Sequence, residues 1–356
     1  MNWARPSAPF TSRVAYAAAH VVPAGESLDW EHTLAFRHEL WSWGFGVAEA
    51  MDTAQRGMGL DWATTQELIR RTGAEAAAVG GLLACGAGTD QLVAGTSYTL
   101  GQIADAYREQ VTVVREAGAR VILMASRALA TTARSAADYA FVYDRVLGEL
   151  DQPAILHWLG PMFDPELAGY WGSADVSVAT ETLLEVIGAH AHVVDGVKVS
   201  LLDAAHEVGL RRRLPAGVRL YTGDDFNFPE LIIGDGVQHS DALLGIFAAI
   251  YPAASTALQA LDAGRADEAR AILDSTVELS RHVFSAPTPF YKTGIAFLAW
   301  LNGHQPSFAM VGGLETGRSR EHLLRTATLA REAGLLLDPD LADARLVAFQ
   351  LMVSST

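Results

Sequence analysis

The sequence is almost free of lysine. Only Lys198 and Lys292 occur among the 26 basic residues of the 356-residue chain, and all the others are arginines. The many alanines and glycines indicate that a biased genome composition accounts for much of this scarcity. Two lysines that persist in such a chain nevertheless need an explanation of their own.

Cysteine and long apolar runs are also scarce. Cys85 is the single cysteine, which excludes an intrachain disulfide and a zinc site built from cysteines; its apolar neighbours predict a buried core position. No run approaches the ~18 apolar residues of a membrane span, and the first ten residues lack the apolar region of a secretory signal. We therefore expect a cytoplasmic protein without membrane contacts.

Positive charge is in deficit, with 26 basic against 41 acidic residues and a formal net charge of −15. Such a surface repels the phosphates of nucleic acids and anionic membranes. Half of the residues are hydrophobic and 19% are charged, so the chain can bury a large core. These values predict a globular protein whose partners do not include nucleic acid.

Short apolar runs alternate with longer helical patterns along the chain. This alternation favours an α/β fold of the (β/α)8 TIM-barrel type. We predict a barrel in residues 1–252 and a helical C-terminal extension, packed on the barrel, in residues 253–356. The eight predicted strands cover residues 14–22, 46–51, 81–85, 120–125, 154–158, 193–200, 218–222 and 242–247.

Lys198 lies near the end of the sixth predicted strand. Active sites of TIM barrels lie at the C-terminal ends of the strands, and side-chain alternation directs Lys198 towards the barrel axis. Burial among apolar residues favours the neutral amine, which can form a Schiff base with a carbonyl compound. An ion-paired lysine that stabilises the barrel rim, with Asp224 as its partner, is the alternative.

Other polar side chains follow the remaining strands. His157, near the end of strand five, is expected to transfer protons, or else to be a hydrogen-bonded core histidine. One of the two aspartates after strand seven is expected to position the substrate, and the other to cap the following turn. A barrel mouth lined mainly by acidic side chains suits a polyhydroxylated substrate. The predicted substrate-binding residues are Glu49, Asp52, Asp90, Arg127, Asp224 and Asp225.

Metal and nucleotide motifs are missing from the sequence. His190 and His192 precede strand six and so belong to the wrong end of a barrel. Glu49, Asp52, His157 and Asp224 could converge as metal ligands, but no spacing rule supports that set. The glycine-rich fingerprints of dinucleotide and phosphate binding are absent. We therefore predict neither a metal nor another cofactor.

Three segments resemble the dihydrodipicolinate synthase and N-acetylneuraminate lyase superfamily, in the same order along the chain. Gly-Val-Lys at residues 196–198 is similar to the strand that carries the imine-forming lysine. Thr-Gly-Asp-Asp at 222–225 is similar to the Ser-Gly-Asp-Asp segment after strand seven. Residues 287–292 are similar to the C-terminal Pro-Asn-Pro-x-x-x-Lys stretch. The resemblance implies a (β/α)8 barrel, gives Lys198 the imine role and gives Lys292 a structural one.

The first half of the chain departs from this superfamily. The Gly-Thr-Thr-Gly-Glu loop that holds a pyruvate carboxylate is replaced by Ala-Glu-Ala-Met-Asp-Thr at residues 48–53. His157 stands where the family has a tyrosine, and residues 159–162 lack the arginine that also meets a carboxylate. The chain thus resembles a divergent branch without an assigned function, and pyruvate is disfavoured as its substrate.

These observations predict a class I lyase or aldolase that acts on a small carbonyl compound, derived from a sugar or polyol. Lys198 would attack the carbonyl and His157 would transfer protons, leading to C–C cleavage, C–C formation or dehydration. A metal-dependent TIM-barrel isomerase or hydrolase and a non-catalytic barrel that binds a metabolite are the alternatives. The resemblance also implies a homo-oligomer, either a dimer or a tetramer.

Overall fold

Eight parallel strands close into a barrel in the computed structural model, which describes residues 3–25 and 27–352. Each strand pairs with the next one along the chain, and the last pairs with the first. The predicted (β/α)8 barrel is thereby confirmed. The strands are β1 (Ala15–Ala18), β2 (Gly46–Glu49), β3 (Leu83–Ala87), β4 (Arg120–Leu123), β5 (Ala154–Leu159), β6 (Val194–Ser200), β7 (Arg219–Thr222) and β8 (Asp241–Leu244).

Helices connect the strands. They begin at side chains that suit a helix N-terminus, such as Asp61, which accepts a hydrogen bond from the backbone N–H of Thr64. The connecting helices are α1 (Trp30–Ser42), α2 (Trp62–Val79), α3 (Leu100–Glu116), α4 (Arg127–Thr132), α5 (Ala136–Leu147), α6 (Val176–Ala189), α7 (Ala204–Arg211) and α8 (Phe228–Ile233). None of the helices in the described part of the chain is long and apolar enough to cross a membrane.

Further helices follow the last strand. The predicted boundary between barrel and extension, at residue 252, falls within the first of these helices, so the division of the chain into two parts stays a prediction. The first two residues of the predicted barrel, 1–2, and the last four of the predicted extension, 353–356, lie outside the described residues. These helices are α9 (Phe247–Asp262), α10 (Ala266–Asp274), α11 (Val277–Val283), α12 (Tyr291–Leu301), α13 (Arg320–Glu332) and α14 (Pro339–Met352).

Several elements end earlier than expected: the strands predicted to end at residues 22, 51, 125 and 247 end at residues 18, 49, 123 and 244. The first strand stops at Ala18, and the chain then forms a short antiparallel hairpin of Pro23–Ala24 with Ser27–Leu28. In the helical extension, the helical structure is broken between α10 and α11. There the hydroxyl of Thr276 donates to the carbonyl of Leu273, a local bond that competes with helix continuation.

Side-chain alternation divides the core into two layers. Val197 and Val199 pack in the large layer between the strands and the helices, which also contains Cys85. Tyr16, Ile122, Ile155, Tyr221 and Leu243 belong to a smaller cluster inside the barrel. The two valines thus point outward, and the core position predicted for the cysteine is confirmed.

The N-terminal end of the barrel is closed by polar bonds. The hydroxyl of Tyr221 donates to the carboxylate of Asp195 at 2.5 Å, and Arg120 pairs with the same carboxylate at 2.9 Å. The opposite end, where the loops after the strands meet, is where active sites of this fold lie.

Candidate active site

Lys198 lies in the barrel interior, in the upper half of β6. Its β5 partner in the parallel register is His157, and its β7 partner is Tyr221. Lys198 is 7% exposed and lines a very small chamber together with Ser200, Asp225 and other residues. The inward direction follows from the alternation that places Val197 and Val199 outside.

The Lys198 amine has no hydrogen-bond partner, and no carboxylate lies within 4.0 Å of it, among residues 3–25 and 27–352. Burial lowers the pKa of Lys198, while the carboxylates of Asp52 and Asp225 oppose this shift. The ion pair with Asp224, the structural alternative for this lysine, is not formed. The amine is therefore free to react, and its neutral form is more accessible than that of an exposed lysine.

Gly223 creates the space that Lys198 occupies. It follows β7, and its backbone N–H donates to the carbonyl of Val199 at 2.8 Å. A Cβ atom at position 223 would lie 2.8 Å from Cε of Lys198 and would collide with the hydroxyl of Ser200. Only glycine therefore allows the end of β7 to pass so close to the lysine.

Replacement of Gly223 by alanine is expected to slow imine formation at Lys198 strongly, because the added methyl group pushes the lysine side chain aside. The measurement is the rate of borohydride-dependent adduct formation at Lys198. Gly209→Ala is the matched control, because no neighbouring atom would lie within 4 Å of the methyl group added there in α7. This control should keep the rate and raise stability by ~0.5–1 kcal/mol. Equal rates in both variants would contradict the packing explanation.

The two adjacent aspartates after β7 have different roles. Asp224 accepts hydrogen bonds from the backbone N–H groups of Phe226 and Asn227, at 2.9 and 3.0 Å, and so caps the following turn. Asp225 lines the Lys198 chamber, and its carboxylate accepts a bond from the N–H of Ile246. Burial raises the pKa of Asp225 to about 7, although Lys198 opposes the shift. Asp225 is thus the aspartate that faces the amine.

His157 is fully buried on β5. Its Nε2 atom lies 3.3 Å from the hydroxyl of Ser200, whereas its Nδ1 atom has no hydrogen-bond partner within the described residues. Burial, and then the neighbouring Lys198, hold the pKa of His157 well below its usual range. The imidazole is therefore neutral at neutral pH.

A cavity of about 500 Å³ opens in front of His157. Its walls are loops that follow β2, β3, β4 and β5, so it lies at the C-terminal end of the barrel. Asp52, Leu159 and Phe163 line both this cavity and the small Lys198 chamber. These three residues therefore mark a narrowing between the reactive amine and the wider space outside it.

Asp90 and Arg127 both line this cavity. Asp90 is bound by Arg56, whose Nε lies 2.9 Å from Oδ2, and this pairing lowers the pKa of Asp90 against the effect of burial. Arg127 pairs with Asp164 at 2.6 Å. Both predicted binding residues are thus placed at the cavity, but their charges are already compensated within the protein.

Glu49 lies apart from the other predicted site residues. Alternation along β2 turns Ala48 into the barrel interior and Glu49 outward, where Arg37 binds its carboxylate through two bonds of 2.7 and 2.8 Å. The hydroxyl of Thr72 donates to the same carboxylate. This environment favours a structural role over the predicted substrate-binding role.

The ligand set considered for a metal is not assembled. Within residues 3–25 and 27–352, no three side chains of histidine, cysteine, aspartate or glutamate are grouped so that they could hold a metal ion. Glu49 is committed to Arg37, and Asp224 is committed to the turn after β7. The set of Glu49, Asp52, His157 and Asp224 is therefore not brought together.

The position of Lys292 in the cavity wall was not predicted from the sequence. The resemblance gave it a structural position only, yet it lines the same cavity as His157 and Asp52. Helix α12 carries it to the barrel mouth, where it is 4% exposed. The only signal for it in the sequence is the scarcity of lysine, because both lysines of the chain meet at this end of the barrel.

Comparisons with known proteins identify a family and a fold. The family model described as "Protein of unknown function (DUF993)" matches residues 1–354. No curated protein matches the chain.

Solved structures of dihydrodipicolinate synthases are similar to this chain over most of its length. The enzyme from Thermotoga maritima is 15% identical, with a TM-score of 0.70 over 91% of this chain and 100% of that one. YagE, a prophage protein of the dihydrodipicolinic acid synthase family from E. coli K12 in complex with pyruvate, is 14% identical, with a TM-score of 0.71 over 91% and 99%. At these identities the similarity shows a shared fold, which confirms the predicted resemblance at that level.

Proposed function

Because this chain belongs to the DUF993 family of proteins of unknown function and shares the fold of dihydrodipicolinate synthases, we propose that it is a Schiff-base-forming lyase or aldolase. Its substrate is a small carbonyl compound, such as a sugar or polyol derivative. The observation that carries this proposal is the buried, unpaired amine of Lys198 at the C-terminal end of β6, beside a neutral histidine.

The proposed chemistry begins with Lys198. Its neutral amine adds to the substrate carbonyl carbon, and the hydroxyl of the resulting carbinolamine leaves as water after it receives a proton. Asp225 can supply that proton, because a carboxyl group with a pKa of about 7 is partly protonated at neutral pH. The protonated imine then accepts the electron pair released when an adjacent C–H or C–C bond breaks.

His157 is the proposed base for this second stage. It is the partner of Lys198 in the register of the neighbouring strand and lines the cavity outside the Lys198 chamber, and its ring is neutral because of burial. The imidazole would accept the proton released from the substrate carbon or hydroxyl, and return it before the imine is hydrolysed. Ser200, hydrogen-bonded to Nε2, holds the ring in place.

Replacement of His157 by phenylalanine, which keeps the aromatic volume, is expected to lower turnover ~10²- to 10⁴-fold, the usual contribution of a general base. Imine formation should persist, because Lys198 is intact. The measurement is turnover compared with borohydride adduct formation in the same variant. Loss of the adduct in a folded His157→Phe protein would instead give the histidine an essential part in imine formation.

The experiment that tests the proposed function follows exchange of substrate protons with solvent. In D2O, an imine-forming enzyme replaces the protons next to the carbonyl of a ketone with deuterium, even when the second substrate is missing. We expect NMR to show such exchange for at least one of hydroxyacetone, dihydroxyacetone and 4-oxopentanoate. Tight binding of a ketone with neither exchange nor a borohydride adduct would support the non-catalytic alternative.

Two further expectations accompany the proposal. The metal-dependent alternative has no support from the site, since its ligands are not grouped within the described residues.

A homo-oligomer stays a prediction that rests on the sequence resemblance, and sedimentation of the purified protein would determine the subunit number.

A further inference from the structure

The cavity in front of the Lys198 chamber is far larger than the reacting group requires. Its volume of about 500 Å³ lies in the ~300–1,000 Å³ range of sites for small molecules. A three-carbon carbonyl compound occupies on the order of 100 Å³, if a water molecule takes ~30 Å³. Space therefore remains for a part of the substrate that extends beyond Asp52, Leu159 and Phe163, away from the carbonyl.

Lys292 is a buried cation in the wall of that space. Its Nζ atom lies 3.1 Å from the carbonyl of Pro289 and 3.4 Å from the sulfur of Met58. An ammonium group has three donors, and the sulfur is a weak acceptor, so the bonding capacity of Lys292 is not filled. In the described part of the chain, no carboxylate lies within 4.0 Å of this ammonium group.

The charge of Lys292 is retained despite burial. Burial lowers the pKa of Lys292 to about 8, while Asp52 and Asp164 act in the opposite direction from a distance. The group is thus mainly protonated at neutral pH. A buried cation without an ion-pair partner is costly, and an anion in the adjoining cavity would offset that cost.

The other charged groups of the cavity wall form no ion pair with Lys292 in the described part of the chain. Arg56 is bound to Asp90, and Arg127 is bound to Asp164. Within residues 3–25 and 27–352, the charged groups of the cavity wall that form no ion pair are Asp52, Lys292 and Arg134. Glu166 shares Arg127 with Asp164, at 3.7 Å, so the four positive and four negative groups of the wall balance overall. Lys292 is nevertheless a buried cation of this wall without a carboxylate partner, so an acidic group of a ligand could pair with it at that position.

We infer that Lys292 binds an acidic group of the substrate, a carboxylate or a phosphate, which the narrowing in front of the Lys198 chamber separates from the reacting carbonyl. The inference rests on the proposed function for the position of that carbonyl. It assigns a substrate class: carbonyl compounds with an acidic group remote from the carbonyl. Lys292 would thus determine specificity, and Lys198 would perform the chemistry.

The test compares ketones that differ only in the acidic group. The pairs are 4-oxopentanoate with 2-pentanone, and dihydroxyacetone phosphate with dihydroxyacetone. We expect half-maximal borohydride trapping of Lys198 at a concentration ~10- to 100-fold lower for the acidic member of at least one pair, the range of a charge-assisted hydrogen bond. The pair that shows the difference distinguishes a carboxylate from a phosphate as the preferred group.

Lys292→Met removes the charge with little change in size. This variant should abolish the preference because it weakens the binding of the acidic ketone alone. The concentration of the neutral ketone at half-maximal trapping should not change. Arg213→Met is the control for the loss of a charge, because Arg213 pairs with Glu181 on the surface beyond α7. It should retain the preference. Equal trapping of both members in the wild type, or a preference that survives Lys292→Met, overturns the inference.

A second measurement separates this inference from the proposed function. Calorimetric titration of the acidic ketones into Lys198→Met protein, which cannot form an imine, should still detect binding, and the double variant with Lys292→Met should lose it. Binding that depends on Lys292 without any trapping in the wild type would sustain the inference and contradict the proposed function. Trapping that does not depend on Lys292 would support the proposed function and contradict the inference.

Discussion

Replacement of Lys198 by methionine is expected to reduce proton exchange and turnover by at least ~10³-fold, because no other amine lines the Lys198 chamber in the described residues. Methionine fills much the same volume without a nitrogen atom. The measurement is the rate of deuterium incorporation into a ketone, in parallel with C–C cleavage or formation once a substrate is known.

The stability of this variant provides the control. A buried amine that forms no ion pair contributes little to folding, and its replacement by an apolar side chain is often neutral or stabilising. Lys198→Met should therefore unfold at the same temperature as the wild type or above it, while activity is lost. Lys198→Arg should be equally inactive, because a guanidinium stays protonated and cannot form an imine. Exchange at the wild-type rate in either variant would contradict the nucleophilic role.

Replacement of Arg37 by methionine is expected to have the largest effect on stability. Arg37 and Glu49 are both fully buried, and their carboxylate–guanidinium pair is bidentate, at 2.7 and 2.8 Å. Arg37 also donates to the carbonyls of His20 and Thr33. Removal of one partner of a buried pair leaves an uncompensated charge and costs ~3–5 kcal/mol. The measurement is the free energy of unfolding from denaturant titration.

The ion pair between Arg71 and Glu67 is the matched control. Both side chains are more than 40% exposed and one turn apart on α2, so Arg71→Met should change stability only slightly. Glu49→Gln should resemble Arg37→Met, with a large loss of stability and an unchanged KM in the protein that remains folded. If Glu49→Gln raised KM without loss of stability, the predicted substrate-binding role of Glu49 would be restored.

The barrel could be predicted from the sequence because its signals are local. Alternating apolar runs and helical periods predicted each of the eight strands, and side-chain alternation placed Lys198 on its observed, inward side of β6. Strand ends were less certain. The first predicted strand included Val21 and Val22, which are buried in the core beyond the end of β1, so burial alone did not indicate sheet pairing.

The composition of the site could be predicted only in part, because three of its features depend on geometry that the sequence pattern does not show. Whether Ala48 or Glu49 faces the barrel axis depends on the register of β2, and a four-residue strand indicates this poorly. The separate roles of Asp224 and Asp225 depend on the turn after β7. Lys292 reaches the cavity because α12 packs over the barrel mouth, and no local pattern reveals that contact.

Borohydride reduction in the presence of a ketone, followed by mass mapping of peptides, tests the imine role of Lys198 most directly. The chain has only two lysines, so each adduct can be assigned without ambiguity. We expect an irreversible mass increase on the peptide that contains Lys198, with Lys292 unmodified. An adduct confined to Lys292, or turnover of a carbonyl substrate without any adduct at Lys198, would contradict this role.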